Sequence, residues 1–473
     1  MLRRRTGPPA VAEQRCVERG RAAGRFYLDS LIGSVVRPPA GRTKELHRAR
    51  QRRRRVAPNR TTGRRTATRL ALYVGGVVLS EVGTQGTLAA MLFHVYDLTG
   101  STAQVGLVAL AHGIAAMVVG PVGGYYADRH DRRRLLQASQ TLAMVASLGL
   151  GVVTLGGDAR TWHVMVAALV ISLAAAFEQP TRKAIIASLV PADELVRALA
   201  VVNPLRQVGH LTGPALAGGL IVVAGPGLMY MVDAVTFGAL IVILQLMTLA
   251  PTVAPTTARL WSSMREAARF IIHRPVIVQL MALDLSTTLF AAYRVVLPAL
   301  AVDILQVGAS GYGVLGAAPP AGALIGGVVA YRLAATRIPS GQIALIATIA
   351  LGASAVVLAQ ARSLVVALIG AGGIGLFNAV AAVIRQAALL IESPDGLRGR
   401  VSALYGVFSK GGPAVGDAAM GCAGKCSGGR HRPDPGRPRP SGAWRGDRIL
   451  VAVPSPLPGT PAHSARRPAP AKL

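Results

Sequence analysis

Long apolar runs broken by short polar segments dominate this chain. A bilayer core about 30 Å thick needs roughly 20 apolar residues at 1.5 Å each. Runs of that length lie at 71–95, 103–126, 135–156, 161–180, 199–224, 226–250, 276–301, 311–333, 341–360 and 363–384, and an eleventh starts near 401 and stops near 421. The pattern predicts an all-α polytopic membrane protein of 10–11 spans.

The polar segments between the runs are not alike. Those after spans 2, 4, 6, 8 and 10 hold DRHDRRR, TRK with Arg197, the set Arg259, Arg265, Arg269 and Arg274, then Arg337, then LRGR. Those after odd-numbered spans hold at most one Lys or Arg. Basic residues in short loops stay cytosolic, so the even loops and the N-terminus are expected in the cytosol. Residues 251–275 form a linker in which Leu260, Met264, Ala267 and Ile271 recur at helical spacing, with Arg265 and Arg269 on other faces. That spacing predicts a helix lying on the membrane surface.

Composition sharpens the picture. Only 15% of the 473 residues are charged, against about 25% in soluble proteins. The net charge of +30 belongs mostly to the ends: residues 1–70 hold 20 Lys/Arg against 4 Asp/Glu, and residues 422–473 hold 10 against 2, which leaves +6 for the body. Basic tails alone give only salt-sensitive adhesion to nucleic acid, so no specific nucleic-acid partner is expected. Cys16, Cys422 and Cys426 make neither a disulfide framework nor a metal site. The chain has no nucleotide-binding loop, metalloprotease motif or nucleophile elbow, so neither an enzyme nor an ATP-driven pump is expected, and no cofactor or metal.

The body repeats. A shift of 203 residues carries Gly124 onto Gly327, Arg129 onto Arg332, Arg182 onto Arg385, Pro191 onto Pro394 and Arg197 onto Arg400. Two parallel six-span halves are a transporter construction. The expected division is a basic tail 1–69, a first half 70–250, the linker 251–275, a second half 276–421 and a Pro/Arg-rich tail 422–473.

Seven consecutive ionisable residues, Asp128 to Arg134, follow span 2. With two halves and this loop, the chain resembles transporters of the major facilitator superfamily. Their loop signature is Gly, three residues, Asp-Arg, one residue, Gly, then two basic residues. Gly124, Asp128, Arg129, Arg132 and Arg133 match it, and Asp131 takes the place of the second glycine. FEQPTRKAIIASLVPADEL, GPALAGGLI and LRGRVSALYG further resemble the enterobactin-exporter-like branch of bacterial efflux proteins. The resemblance covers roughly residues 70–415. It implies a monomeric multi-pass protein of the bacterial inner membrane that exports a siderophore or an amphipathic drug-like molecule by proton antiport. Two alternatives stay open: a transport-dead remnant of such an exporter, and a membrane-tethered binder of nucleic acid.

The resemblance implies a conformational latch at Gly124, Asp128, Arg129, Arg132 and Arg133, with Arg332, Arg398 and Arg400 in the second-half loops. Charge within spans is costly and usually functional. Glu81, Glu178, Arg206, His210, Asp284 and Arg294 are therefore candidates for the proton or substrate path, with Asp233 as a further in-span carboxylate. Ten residues of helix, about 15 Å, argue against a direct pair between Asp284 and Arg294. Gly209, Gly213 and Pro214 in span 5 suit close helix packing. Against the family pattern, span 4 is expected to lack the buried arginine of many drug–proton antiporters, and Tyr331 replaces the second-half loop aspartate. The Pro/Arg-rich tail and the missing twelfth span suggest a frameshift near Gly421, so the segment 401–421, without a return span, is expected to stay out of the bundle and transport to be slight.

If Asp128 is a latch, Asp128→Asn should cut efflux sharply while protein level and topology stay intact, because asparagine keeps the size and loses the charge-assisted bond. Efflux equal to wild type in that variant would reduce the loop to a topology anchor.

Overall fold

The computed structural model describes residues 60–427, apart from 191–194, 248–259, 291, 335, 337 and 395–396. The tails and the first part of the linker lie outside the described residues. Those described are helical throughout, with no strand among them. The first half comprises α1 (Arg60–Thr99), α2 (Thr102–Arg129), α3 (Arg132–Leu155), α4 (Thr161–Leu189), α5 (Leu195–Ala224) and α6 (Pro226–Leu246). The linker helix is α7 (Leu260–Ile272). The second half comprises α8 (Pro275–Phe290), α9 (Leu297–Ala299, continued by a π-helical turn Leu300–Ile304), α10 (Gly308–Ala334), α11 (Ser340–Ala359), α12 (Leu364–Glu392) and α13 (Arg398–Ser427).

Eight of these helices are long and apolar enough to cross a membrane, or nine if α7 and α8 count as one bent span. Large apolar side chains such as Val223, Val235, Leu246, Ile349 and Ile369 stand on the outside of the bundle, where a soluble protein would carry charge. The linker periodicity is realised in α7: Ala267 and Ile271 are buried while Arg265 and Arg269 are exposed. Residues 265–272 meet α8 at 99°.

Three expectations fail. Span 7 is not one continuous helix over 276–301. It stops at Phe290, turns through Arg294–Val296, and restarts at Leu297 with Pro298 in the first turn, where a missing N–H costs nothing. Span 4 runs on to Leu189 and span 10 to Glu392, so Arg182 and Arg385 are helical and buried rather than loop residues. The segment 401–421 does not stay out of the bundle: α13 packs along α2 and against α8. Glycines, Pro413, Lys410 and Asp417 keep its hydropathy below that of the other spans.

The two halves touch along two seams, α2 against α13 and α5 against α10. Both are close because glycines line them. A Cβ on Gly218 would come within 2.6 Å of the Gly313 Cα, and a Cβ on Gly106 within 3.0 Å of the Asp417 carbonyl. At the end remote from the charged α2–α3 loop, one hydrophobic core runs across both halves, from Met91 and Phe93 through Tyr230 and Phe237 to Leu300, Leu315 and Ile374. Nearer the charged loop the core divides. Tyr73, Leu136, Ile185 and Leu244 belong to the first half alone, and Ala330, Ile343 and Ile384 to the second. The halves are thus fused at one end and separately packed at the other.

A methyl at Gly113 would overlap the Ala414 Cβ across the α2–α13 seam, whereas a methyl at Gly149 on α3 would meet nothing within 4 Å. Gly113→Ala should therefore lower stability by about 1–3 kcal/mol, and Gly149→Ala should leave it unchanged or raise it by up to about 1 kcal/mol. Thermal unfolding in detergent compares the two; equal midpoints would mean that the seam is looser than this.

Candidate functional site

Glu81 sits near the middle of α1, 4% exposed, in a close helix contact with α5. Gly209 and Gly213 on α5 make the contact possible. A Cβ at Gly209 would lie 3.0 Å from the Glu81 Cβ, and one at Gly213 would lie 2.8 Å from the Gly86 nitrogen and the Val82 carbonyl. The GxxxG step therefore sets the backbone distance, and the carboxylate then falls among cations. Oε2 of Glu81 accepts from Arg182 Nη1 at 3.2 Å and from Arg206 Nε and Nη2 at 3.3 and 3.1 Å. Its Oε1 lies 3.2 Å from His210 Nε2. Arg206 and His210 are one turn apart on α5 and so share a face.

Around this centre a network of side chains closes. Arg182 also pairs with Glu178, one turn earlier on α4, and donates to Ser80 Oγ at 2.9 Å. Arg206 donates to Gln179 at 3.2 Å. Two carboxyl groups thus face two guanidiniums and an imidazole. Burial leaves such a group little tolerance for losing a member, since an unpaired charge in low dielectric is expensive.

The second half holds a simpler counterpart. Asp284 on α8, 4% exposed, accepts from Arg385 Nη2 on α12 at 2.5 Å, and Arg385 is 1% exposed. Glu81 and Arg182 are 101 residues apart, and so are Asp284 and Arg385. The 203-residue shift carries each member of the first pair onto the corresponding member of the second. Each half is therefore pinned by one acid on its first helix and one arginine on its fourth. Apolar run length aligns Arg182 with Arg385 but puts both in loops, which leaves Glu81 and Asp284 without partners. Extending the same shift to the in-span acids is the signal that finds the pairs. The buried arginine expected to be missing from span 4 is Arg182.

A central cavity, partly open to solvent, lies between the halves. Gln85, His210 and Pro214 line it from the first half, and Tyr293, Arg294 and Tyr312 from the second. His210 thus touches both the cavity and Glu81. Arg294 stands at the α8–α9 turn, away from Asp284, whose partner is Arg385. Asp233 on α6 is fully buried, accepting from Ser147 at 3.0 Å and Thr236 at 3.4 Å. It faces Gly83 rather than the cavity.

In the charged loop, Asp131 caps α3. Its Oδ1 accepts from the backbone nitrogens of Arg133 at 2.9 Å and Arg134 at 3.4 Å, a favourable place for an acid. This explains one of the two loop aspartates. Arg132 donates to the Ala184 carbonyl at 3.3 Å and Arg133 to the Gln245 carbonyl at 2.9 Å, so the loop ties the ends of α4 and α6. Gly124, Asp128 and Arg129 close α2, and their side chains lie outside those described, as do the side chains of Arg398 and Arg400 at the start of α13. Arg332, like Tyr331, is exposed at the end of α10.

The family model for transmembrane secretion effectors matches residues 69–428. This chain belongs to that family. Secretion-effector relatives include the enterobactin exporter EntS of Citrobacter koseri, 28% identical over 356 residues covering 74% of this chain and 83% of the relative, and that of Salmonella typhi, 27% identical with the same coverage. The fold of this secretion effector is similar to that of a bacterial homologue of the human lysosomal transporter Spinster (TM-score 0.62, 15% identity, 77% of this chain and 84% of that one) and to that of the nucleoside transporter NupG (0.63, 12%, 76% and 92%). The chain is a membrane transporter of the major facilitator type, not an enzyme.

Removing one partner of a buried pair leaves a charge without compensation, at a cost of about 3–5 kcal/mol. Arg385→Met should therefore lower the thermal midpoint in detergent clearly, and adding Asp284→Asn should restore most of the loss. A double variant no more stable than the single one would show that the pair is not what the arginine contributes.

Proposed function

We propose that this secretion effector exports a siderophore or an amphipathic drug-like molecule from the bacterial cytosol by alternating access, coupled to proton entry through the Glu81 cluster. The observation that carries the reading is His210: one side chain lines the central cavity and bonds to a buried carboxylate held by two arginines. An event in the cavity that draws on His210 changes the balance at Glu81, and through Arg182 and Arg206 it reaches α4 and α5. Neither Asp284 nor Arg385 is among the described residues that line the cavity, and their pair acts as the fixed brace of the other half.

The relatives named as enterobactin exporters support a siderophore as substrate. The basic even-numbered loops support a cytosolic N-terminus and a cytosolic α2–α3 loop. With that orientation, a core divided near the charged loop and fused at the remote end corresponds to a cavity approached from the cytosol. Asp128, Arg129 and Gly124 then lie where a closing cytosolic gate needs its latch, with Arg332, Arg398 and Arg400 as their second-half counterparts.

Enterobactin movement into inside-out vesicles carrying the full chain tests the reading. Transport should stop when the pH gradient is collapsed. Glu81→Gln should lower gradient-driven transport by at least about tenfold, the scale on which charged groups held in place bias a two-state equilibrium. Transport that ignores the gradient and stops on ATP depletion would reject secondary transport, and background transport throughout would favour the transport-dead alternative.

A further inference from the structure

The wall of the central cavity carries its charge in one sign. Among the described lining residues the ionisable groups are His210, Arg294, Tyr293 and Tyr312, with no carboxylate. The acids nearest these groups stand behind the wall. Glu81 is 4% exposed beneath His210, and Asp417 on α13, 5% exposed, acts on Arg294 electrostatically. His112 of α2 is a further titratable neighbour within reach of Arg294. Arg294 itself is exposed. The reason is local: the α8–α9 turn interrupts the helix, so the guanidinium projects from a turn rather than from a packed helix face. Tyr312 has its hydroxyl engaged, donating to the Ala89 carbonyl at 2.9 Å. Leu88, Leu92 and Leu297 supply an apolar remainder.

We infer that this cavity binds an amphipathic organic anion, with Arg294 as the group that pairs with its acidic function and the leucines as the surface for its apolar body. The inference rests on the reading of the cavity as the substrate site, and it adds the sign of the substrate's charge. A guanidinium is well suited to the task. It stays charged, it is less strongly hydrated than an ammonium, and it offers parallel donors to a carboxylate or sulfonate. An organic cation would meet Arg294 with no acid among the described lining residues to receive it, and like charges at close quarters repel.

Three probes that share one fluorophore and differ in charge test this: dansylglycine (an acid), dansylamide (neutral) and N-dansylethylenediamine (a cation). Their affinities for the full chain in nanodiscs, measured by equilibrium dialysis, require neither a gradient nor a complete transport cycle. The acid should bind at least about tenfold more tightly than the amine, the scale of one charge-assisted pair. Arg294→Gln should remove that preference while dansylamide binding is retained, which also reports that the cavity is folded. Arg294→Lys should keep a reduced preference for the acid. Equal binding of acid and amine, preference for the amine, no binding of any probe, or a preference that survives Arg294→Gln each overturns the inference. A preference for the amine would leave an exporter in place with a substrate of the opposite charge, so this failure is distinct from failure of the transport reading.

Discussion

A carboxylate on the first helix of each half, paired with an arginine on the fourth, is the constraint around which this bundle is arranged. Apolar side chains can slide past one another at little cost, so greasy helices alone do not fix a register. A buried ion pair does, because a shift of one turn would strand both charges in a medium that cannot solvate them. Glu81–Arg182 and Asp284–Arg385 each tie two helices at one depth, and the remaining helices of each half pack about them. The first half then adds Arg206, His210 and Glu178 to its pair, while the second adds the Tyr405 side chain of α13 to its own. One scaffold, present twice, thus carries a larger charged cluster in the first half than in the second.

Glycine decides how near those charges come. Gly209 and Gly213 bring α5 against α1 at the depth of Glu81, so the same two residues serve packing and electrostatics. With larger residues there, Arg206 would still lie on the correct face of α5 and would hold its guanidinium farther from the carboxylate. Packing and chemistry are set together here by the absence of a side chain.

The helical bundle, the order of its helices and the family were all legible in the sequence, because apolar run length and loop charge report on the bilayer directly. The charged loop and the in-span acids were visible too, since charge stands out against an apolar background. The partners were not. Arg182 and Arg385 follow the last apolar residues of spans 4 and 10 and read as anchors, and only helices that continue one or two turns beyond those runs bury them. The turn after Phe290 was hidden for the opposite reason: hydropathy stays high across it, and Pro298 marks a helix start only when the preceding turn is known. Asp131 read as a departure from a glycine in the loop signature, whereas its carboxylate caps α3.

The two seams between the halves are made largely of backbone against backbone. Gly218 faces Gly313 across one, and Gly106 faces the Asp417 carbonyl across the other. Side chains that interlock must be lifted over one another before two surfaces can part, and each lift adds a barrier. Smooth surfaces need no such unlocking. Seams of this kind act as bearings rather than zippers: they hold the halves at a fixed separation, and the resistance to any movement between the halves falls on the apolar core that joins them at the end remote from the charged loop.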